Sequence, residues 1–446
     1  MRITIIGTGY VGLITGVCFA EMGNQVICLD NDEDKIKKFN GGSLHIYESG
    51  LKTIYLRNRK EGRLHFTSDL EEAVINTDIV FLALPTPSKE DGSADISCVL
   101  SVSSKLAKIF SEEKKRGKFT YKIVVNKSTV PVGTSARIKE IFEESDLVVG
   151  EDFDVVSNPE FLREGRAVED FMKPDRIVIG TSSPKAEKIL KEIYTPFVRS
   201  GNPIIVMDER SAEMTKYASN SYLATRITFI NEIANLCELL GANVDHVKYG
   251  MGTDSRIGTQ FFYPGMGFGG SCFPKDVRAL SSMAKKSGYD FQMLNSIINV
   301  NRLQRGRMVK RITDYFDNNL KDLRIAVWGL AFKANTNDVR ESPSHYLIKE
   351  LKSKGASIIA FDPEAIETTK HELGESIEYA GDQYAALKKA DALVVATEWN
   401  EFRRPDFKKM KMLMNNPLIF DGRNLYEPKK MIEYGFEYFS VGRPQV

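Results

Sequence analysis

Short apolar, β-branched runs separated by helical stretches fill the first 200 residues of this chain. The runs at 2–6, 25–29, 79–83, 122–126 and 154–157 predict buried strands of a wound α/β sheet. From about residue 209 the period changes. Met214, Tyr217, Ala218, Tyr222, Ile230, Ile233, Ala234 and Leu240 recur at helical spacing, which predicts one long amphipathic helix over about 209–240. A glycine-rich loop leads into a second helical run, about 277–316. Strand-like runs then return at 324–328, 357–361, 392–396 and 418–420. The order is therefore α/β, helical, α/β, with no short-period repeat.

At 446 residues the chain is long enough for about three domains. Its 61 Lys and Arg against 60 Asp and Glu leave a net charge of +1, which gives no reason to expect nucleic acid or an anionic membrane as partner. The uncharged run from 3 to 20 superficially resembles a signal peptide or membrane span. Glycines at 7, 9, 12 and 16 instead predict a strand, a tight turn and a helix, so no targeting segment is read and a cytoplasmic location is expected. Cys18, Cys28, Cys98, Cys237 and Cys272 lie far apart, with no CxxC and no zinc-type Cys/His spacing, so no metal site is expected. An odd, sparse count fits a reducing compartment. Cys18, Cys28, Cys98 and Cys237 sit in apolar patterns and read as buried and inert.

Gly7-x-Gly9-x-x-Gly12 follows the first strand and opens a helix. The first glycine permits a tight turn, the second lets a pyrophosphate approach the backbone, and the third allows close helix–strand packing. The helix start offers N–H groups and a positive dipole end to the phosphates. Asp30 ends the next strand, placed to accept hydrogen bonds from ribose hydroxyls and to repel a 2′-phosphate. The expected cofactor is NAD, favoured over NADP.

Around Cys272 the chain reads PGMGFGGSCFPKD. Dense glycines bring backbone close to a ligand and put the thiol on an accessible loop, with Lys275 and Asp276 next to it. GxGYVGL at the start, STVPVGT at 128–134, SNPEFLREG at 157–165, KYASN at 216–220, GFGGSCFPKD at 267–276 and GLAFKANTNDVRESP at 329–343 occur in this order, and DGRN follows at 421–424. Together these motifs resemble the UDP-glucose/GDP-mannose dehydrogenase family of nucleotide-sugar 6-dehydrogenases over nearly the whole chain. The resemblance implies two Rossmann-like doubly wound domains joined by a long central helix in a helical middle domain. The implied boundaries are 1–205 for NAD binding, 206–316 for dimerisation and the cysteine loop, and 317–446 for UDP-sugar binding. A homodimer or higher homo-oligomer is expected. The implied reaction is a four-electron oxidation of a sugar C6 alcohol to a carboxylate with two NAD reduced.

The resemblance also implies roles. Cys272 is the nucleophile and Lys216 the oxyanion-stabilising cation, with Asn220 one helical turn away on the same face. Asp276 works with Lys216 in proton handling. Glu160, with Thr129 holding a water, is the base for thioester hydrolysis. Gly7, Gly9, Tyr10, Val11, Gly12, Asp30, Lys35, Thr86, Thr129, Glu164, Lys275 and Arg340 are implied at the cofactor. Implied at the nucleotide sugar are Glu160, Phe161, Leu162, Glu164, Lys216, Asn220, Arg256, Phe262, Tyr263, Gly269, Phe332, Lys333 and Arg423, with Arg256 reaching a neighbouring subunit.

Each residue alone has a plainer reading. Lys216 and Asn220 fit a solvated helix face, Glu160 after Pro159 fits a helix cap, and Thr129 fits a local turn contact. Asp276 fits an ion-pair partner of Lys275 or Arg278, and Arg423 a solvent-exposed structural arginine. STVPVGT and EFLREGRAVEDFMKPDRIVIG resemble the UDP-glucose members of the family and imply UDP-glucose as substrate. GGSC-x-PKD followed by VRAL at 277–280 leaves GDP-mannose as the alternative. Ser271, where UDP-N-acetylmannosamine enzymes tend to carry His, speaks against that sugar. A two-electron hydroxyacid dehydrogenase would leave Cys272 and the second α/β part without a task. A non-catalytic nucleotide-sugar sensor would not need Cys272, Lys216 and Asp276 together.

Overall fold

The computed structural model describes residues 1–198 and 201–444. The chain divides into two compact units, Met1–Ser219 and a second from Asn220 onward. The first is built on β1 (Arg2–Ile6), β2 (Gln25–Leu29), β3 (Leu64–Thr67), β4 (Ile79–Leu82), β5 (Lys122–Asn126), β6 (Phe153–Ser157), β7 (Ile177–Gly180) and β8 (Ile204–Met207). Their order in the sheet is β3-β2-β1-β4-β5-β6-β7-β8, parallel except for a single antiparallel pairing of Ser157 with Gly180. The second sheet, in the order β11-β10-β9-β12-β13-β14, is parallel throughout. It uses β9 (Arg324–Trp328), β10 (Ser357–Phe361), β11 (Glu378–Tyr379), β12 (Ala392–Val395), β13 (Leu418–Asp421) and β14 (Glu437–Phe439). Both are Rossmann-like doubly wound sheets, with the winding reversing beside β1 in one and β9 in the other. Ligands of such sheets bind where that reversal opens a crevice at the strands' carboxyl ends.

β4, β5 and β6 are buried along their whole length, as strands covered by helices on both faces must be. Continuous apolar runs made them visible in the sequence. The strands β3, β7, β8, β11 and β14, two to four residues long, were not anticipated.

The uncharged run near the start is a core helix. In α1 (Tyr10–Glu21) every residue from Gly12 to Ala20 is buried. Phe19 meets the rings of Phe81, Phe171, Tyr194 and Phe197 at centroid distances of 5.2–5.9 Å. A helix apolar all round is a helix enclosed all round.

The helical stretch begins with α2 (Glu209–Leu240), followed by α3 (Val244–Gly252). The run expected over 277–316 is two helices, α4 (Phe273–Lys286) and α5 (Gln292–Tyr315). Gly288 takes a φ of +77° and the Tyr289 N–H bonds back to the Ala284 carbonyl, a glycine-terminated helix end that the apolar spacing alone conceals.

Candidate active site

In the first unit the strand–turn–helix of the glycine motif is present as read. Gly7 has φ +94°, and a Cβ there would lie 2.5 Å from the Ala83 carbonyl oxygen beyond β4. A Cβ on Gly12 would lie 1.8 Å from the Gly7 oxygen, so the turn closes only around two glycines. A Cβ on Gly9 meets nothing within 4 Å. Gly9 therefore keeps a space open that the fold does not fill. Val11 is half-buried in the first turn of α1. Just past β2, Asp30 Oδ2 accepts from Thr8 N at 2.9 Å, Thr8 Oγ1 at 2.6 Å and Lys35 Nζ at 2.7 Å. Burial works to raise the Asp30 pKa, but Lys35 and Thr8 outweigh it, so the carboxyl is held below its ordinary value and stays ionised. Thr86, after β4, donates to the Thr129 carbonyl at 2.9 Å.

The segment after β6 brings Glu160, Phe161, Leu162 and Glu164 together. Glu160 caps no helix; the next one begins at Ala167. Its Oε2 accepts from Leu162 N at 2.6 Å, and Oε1 accepts from Lys216 Nζ at 2.7 Å. Both partners are almost fully buried, with side-chain exposures of 4% for Lys216 and 6% for Glu160. That is no solvated helix face. Burial pushes the Glu160 pKa up, yet Lys216, the Leu162 N–H and Lys127 prevail and hold it below the ordinary carboxylate value.

Other groups here were not read from the sequence. Lys127, buried behind Glu160, donates to Asn158 Oδ1 at 3.1 Å, and burial brings its pKa down to about 8. The Arg176 guanidinium stacks over Phe161 at 3.7 Å. Lys127, Glu160, Phe161 and Arg176 line one cavity of about 530 Å³, counting its open mouth. Glu48 is buried and accepts from Gly165 N at 2.7 Å, Ala167 N at 2.9 Å and the Tyr10 hydroxyl. It ties the FLREG segment to the head of α1 from a loop with no motif of its own.

In the second unit Cys272 is half-buried at the N-cap of α4, its Sγ 3.5 Å from Ser271 Oγ. Asp276, one turn on, accepts from Asn220 Nδ2 at 2.6 Å and pairs with Lys275 at 2.7 Å. Arg278 pairs with Glu341 instead. No disulfide joins the five cysteines; Cys98, expected buried, is half-buried. The glycine loop is held by side chains the sequence did not single out. Asn231 of α2 accepts from Gly265 N at 2.8 Å, and Gln304 of α5 donates to the Gly265 carbonyl at 2.7 Å. Asn301 accepts from Phe268 N and donates to its carbonyl. Gly270 packs on the Phe332 ring so closely that a Cβ there would lie 2.8 Å from it.

Phe332 and Lys333 follow β9, and Arg423 follows β13, at the carboxyl ends of the second sheet. Arg423 is no free surface arginine. It donates to Ala396 O at 2.8 Å and Phe332 O at 2.7 Å. Arg340 and Arg256 are exposed and engage Asp338 and Asp254 within their own turns. Phe262 is buried under the Arg226 guanidinium at 4.1 Å, while Tyr263 is exposed.

Three models of the UDP-glucose/GDP-mannose dehydrogenase family match in order: its NAD binding domain over 1–198, its central domain over 210–303 and its UDP binding domain over 326–428. The chain belongs to the UDP-glucose/GDP-mannose dehydrogenase family. UDP-glucose 6-dehydrogenases from Pseudomonas aeruginosa and Rhizobium meliloti are each 44% identical to it. Both matches cover all of this chain, with 98% of the first relative and 100% of the second. A UDP-glucose dehydrogenase structure from Pyrobaculum islandicum is 36% identical, with a TM-score of 0.90 over 99% of this chain and 98% of that one.

As a family member the chain is an NAD-dependent oxidoreductase of nucleotide sugars. The residues fit that cofactor. Gly9 leaves open the space a diphosphate needs, and an ionised Asp30 suits ribose hydroxyls. Among the described residues no cluster suits a metal ion, and no helix is long and apolar enough to cross a membrane.

Proposed function

We propose that this chain oxidises C6 of UDP-glucose from alcohol to carboxylate, reducing two NAD per sugar in the cytoplasm. The observation that carries the reading is the half-buried Cys272 thiol at the head of α4, with a buried Asn220–Asp276 contact one turn beyond. It stands in a chain 44% identical to UDP-glucose 6-dehydrogenases. NAD, when bound, accepts the hydride at each oxidation. The first oxidation leaves an aldehyde, which has no second hydride to give until a nucleophile adds. Cys272 Sγ forms a bond to that carbon, and the oxygen takes the proton, giving a hemithioacetal. Its oxidation gives a thioester, and water then displaces the thiol to leave the carboxylate. Lys216 and Asn220 stabilise charge on the C6 oxygen. Asp276 takes part in proton transfer. Glu160, ionised at neutral pH, takes the proton of the attacking water, which Thr129 orients. Thr86, Lys35, Tyr10, Val11 and the motif glycines hold the cofactor, with Glu164, Lys275 and Arg340 completing its site. Phe161, Leu162, Gly269, Phe332, Lys333 and Arg423 hold the nucleotide sugar, joined by Phe262, Tyr263 and Arg256.

Self-association through α2 fits the same reading. Tyr222, Phe229 and Leu236, spaced seven apart, are 61%, 46% and 48% exposed, and Leu239 and Leu240 extend the apolar stripe. Such a stripe on one helix suits a second copy of itself, and a homodimer is the assembly we propose.

Counting NADH formed per UDP-glucose consumed tests the chemistry, with Cys272→Ser in parallel. Two NADH per sugar and collapse of turnover in the variant are expected. One NADH per sugar would sink the thioester route. Turnover with GDP-mannose alone would keep the mechanism and change the substrate.

A further inference from the structure

Cys272 is expected to need a fixed loop, and one side chain outside that loop is built into it from several directions. Glu341 follows β9 and precedes Ser342, the N-cap of the helix Pro343–Ser353. Its backbone is left-handed, φ +52°, an unfavourable conformation for a residue that carries a Cβ. That conformation brings the main chain against the thiol loop. A Cβ on Gly269 would lie 2.3 Å from the Glu341 carbonyl oxygen, and Gly270 N donates to the Arg340 carbonyl at 2.9 Å. The side chain reaches the loop by two further routes. Oε1 accepts from Arg278 Nη2 at 2.6 Å, on the second turn of α4 after Cys272. Oε2 accepts from Arg305 at 3.1 Å and 3.2 Å. Arg305 in turn donates to the Phe268 carbonyl at 3.0 Å, on the other side of the thiol.

We infer that Glu341 is a positioning residue for the Cys272 nucleophile, clamping the loop before it and the helix after it through one carboxylate and one strained peptide. The inference rests on the proposed role of Cys272. Strain of this kind persists only where surrounding contacts enforce it, and here those contacts converge on Gly269, Gly270, Phe268 and α4. The carboxyl is ionised at neutral pH: burial works against this, but Arg278 and Arg305 outweigh it. Its single charge thus serves two guanidinium groups, and a neutral amide of the same shape cannot replace it. Small displacements of a reacting group weigh heavily on rate, whereas binding of the sugar nucleotide elsewhere is little affected.

Glu341→Gln in the full chain tests this by two independent readouts. One is the rate at which iodoacetamide alkylates Cys272, followed by mass spectrometry of its peptide with no substrate present. The other is steady-state turnover. Expected are alkylation faster by about fivefold, because the loop opens more often, and kcat lower by about tenfold with KM for UDP-glucose within about twofold. A rise in alkylation confined to Cys272, with the fully buried Cys18 and Cys28 alkylated no faster, is a signature that general destabilisation does not produce, since global opening would expose all three. Unchanged alkylation and unchanged kcat in the folded variant would overturn the inference, as would alkylation of the buried Cys18 and Cys28 rising in step with that of Cys272. Arg278→Gln, which removes one arm of the clamp, should shift both readouts the same way and covers the case of a Glu341 variant that does not fold. Should the parent enzyme not turn over UDP-glucose, the functional reading fails on its own, while the alkylation rates still decide whether Glu341 holds the loop.

Discussion

Glu160 has both oxygens engaged before any substrate arrives, one by Leu162 N–H and one by Lys216. Removing one partner of so buried a pair leaves a charge without compensation, at a cost of about 3–5 kcal/mol. Lys216→Ala should therefore lower the unfolding midpoint as well as activity, and Lys216→Arg should recover stability before it recovers rate. Urea melts beside kinetics would separate the two. Because the Glu160 pKa is held below its ordinary value, its pairing stabilises the fold fully above about pH 5 and is lost as pH falls through the lowered value. The stability difference between parent and Glu160→Gln should thus be flat from pH 7 to 5 and shrink below. Lys127 carries the opposite sign. Burial depresses it to about 8, so its charge burdens the folded state at neutral pH and the burden lifts as pH rises above that value. Lys127→Met should gain stability at pH 7, and the gain should diminish toward pH 10. A loss at pH 7 would show that its bond to Asn158 outweighs the buried charge.

The strand–turn–helix at the start separates two meanings of glycine within six residues. Gly12→Ala would place a methyl 1.8 Å from the Gly7 oxygen, so the turn cannot close, and the expected outcome is poorly folded protein. Gly9→Ala meets no protein atom within 4 Å, so the fold should survive with its melting temperature nearly unchanged. NAD affinity should fall by at least about tenfold because the methyl occupies the pyrophosphate's approach. Calorimetric titration of the two variants distinguishes them. This element was legible in the sequence because its chemistry is local: spacing, strand and turn lie side by side. The grip on the cysteine loop was not. Asn301 and Gln304 are buried polar residues on α5, and polar residues in a helical pattern ordinarily mark the solvent face. Glu48 sits in a loop whose partners are more than a hundred residues away, Tyr10 excepted. Nothing nearby in sequence announces such contacts.

Around their winding reversals the two sheets share one plan, but the carboxylates there differ. Asp30 and Asp362 occupy corresponding positions after the second strand of each. Asp362 is 1% exposed and accepts from Leu330 N, Ala331 N and Trp399 Nε1 on one oxygen and from Glu364 N and Ala365 N on the other. It braces its own turn, whereas Asp30 borders the open space at Gly9. Asp30→Asn should weaken NAD and narrow the preference over NADP, with some loss of stability because the pairing with Lys35 goes with the charge. Asp362→Asn should lower the melting temperature and leave the NAD dissociation constant of the surviving folded enzyme unchanged. The apolar stripe on α2 makes a further prediction at this scale. If the proposed dimer forms through α2, Phe229→Asp should convert it to monomer in sedimentation equilibrium, and an unchanged mass would place the contact elsewhere.

The inward turn of Asp362 bears on the traffic of the proposed reaction. On the proposed reading Asp30 is the carboxylate that meets a ribose, so two equivalents of oxidant would pass through a single berth, one after the other. On the four-electron reading, the half-finished sugar must wait while reduced cofactor departs and a fresh molecule takes its place. A covalent tether to Cys272 would keep it from escaping during that exchange. Trapping experiments with limiting cofactor should then find sugar bound to protein and little free aldehyde in solution.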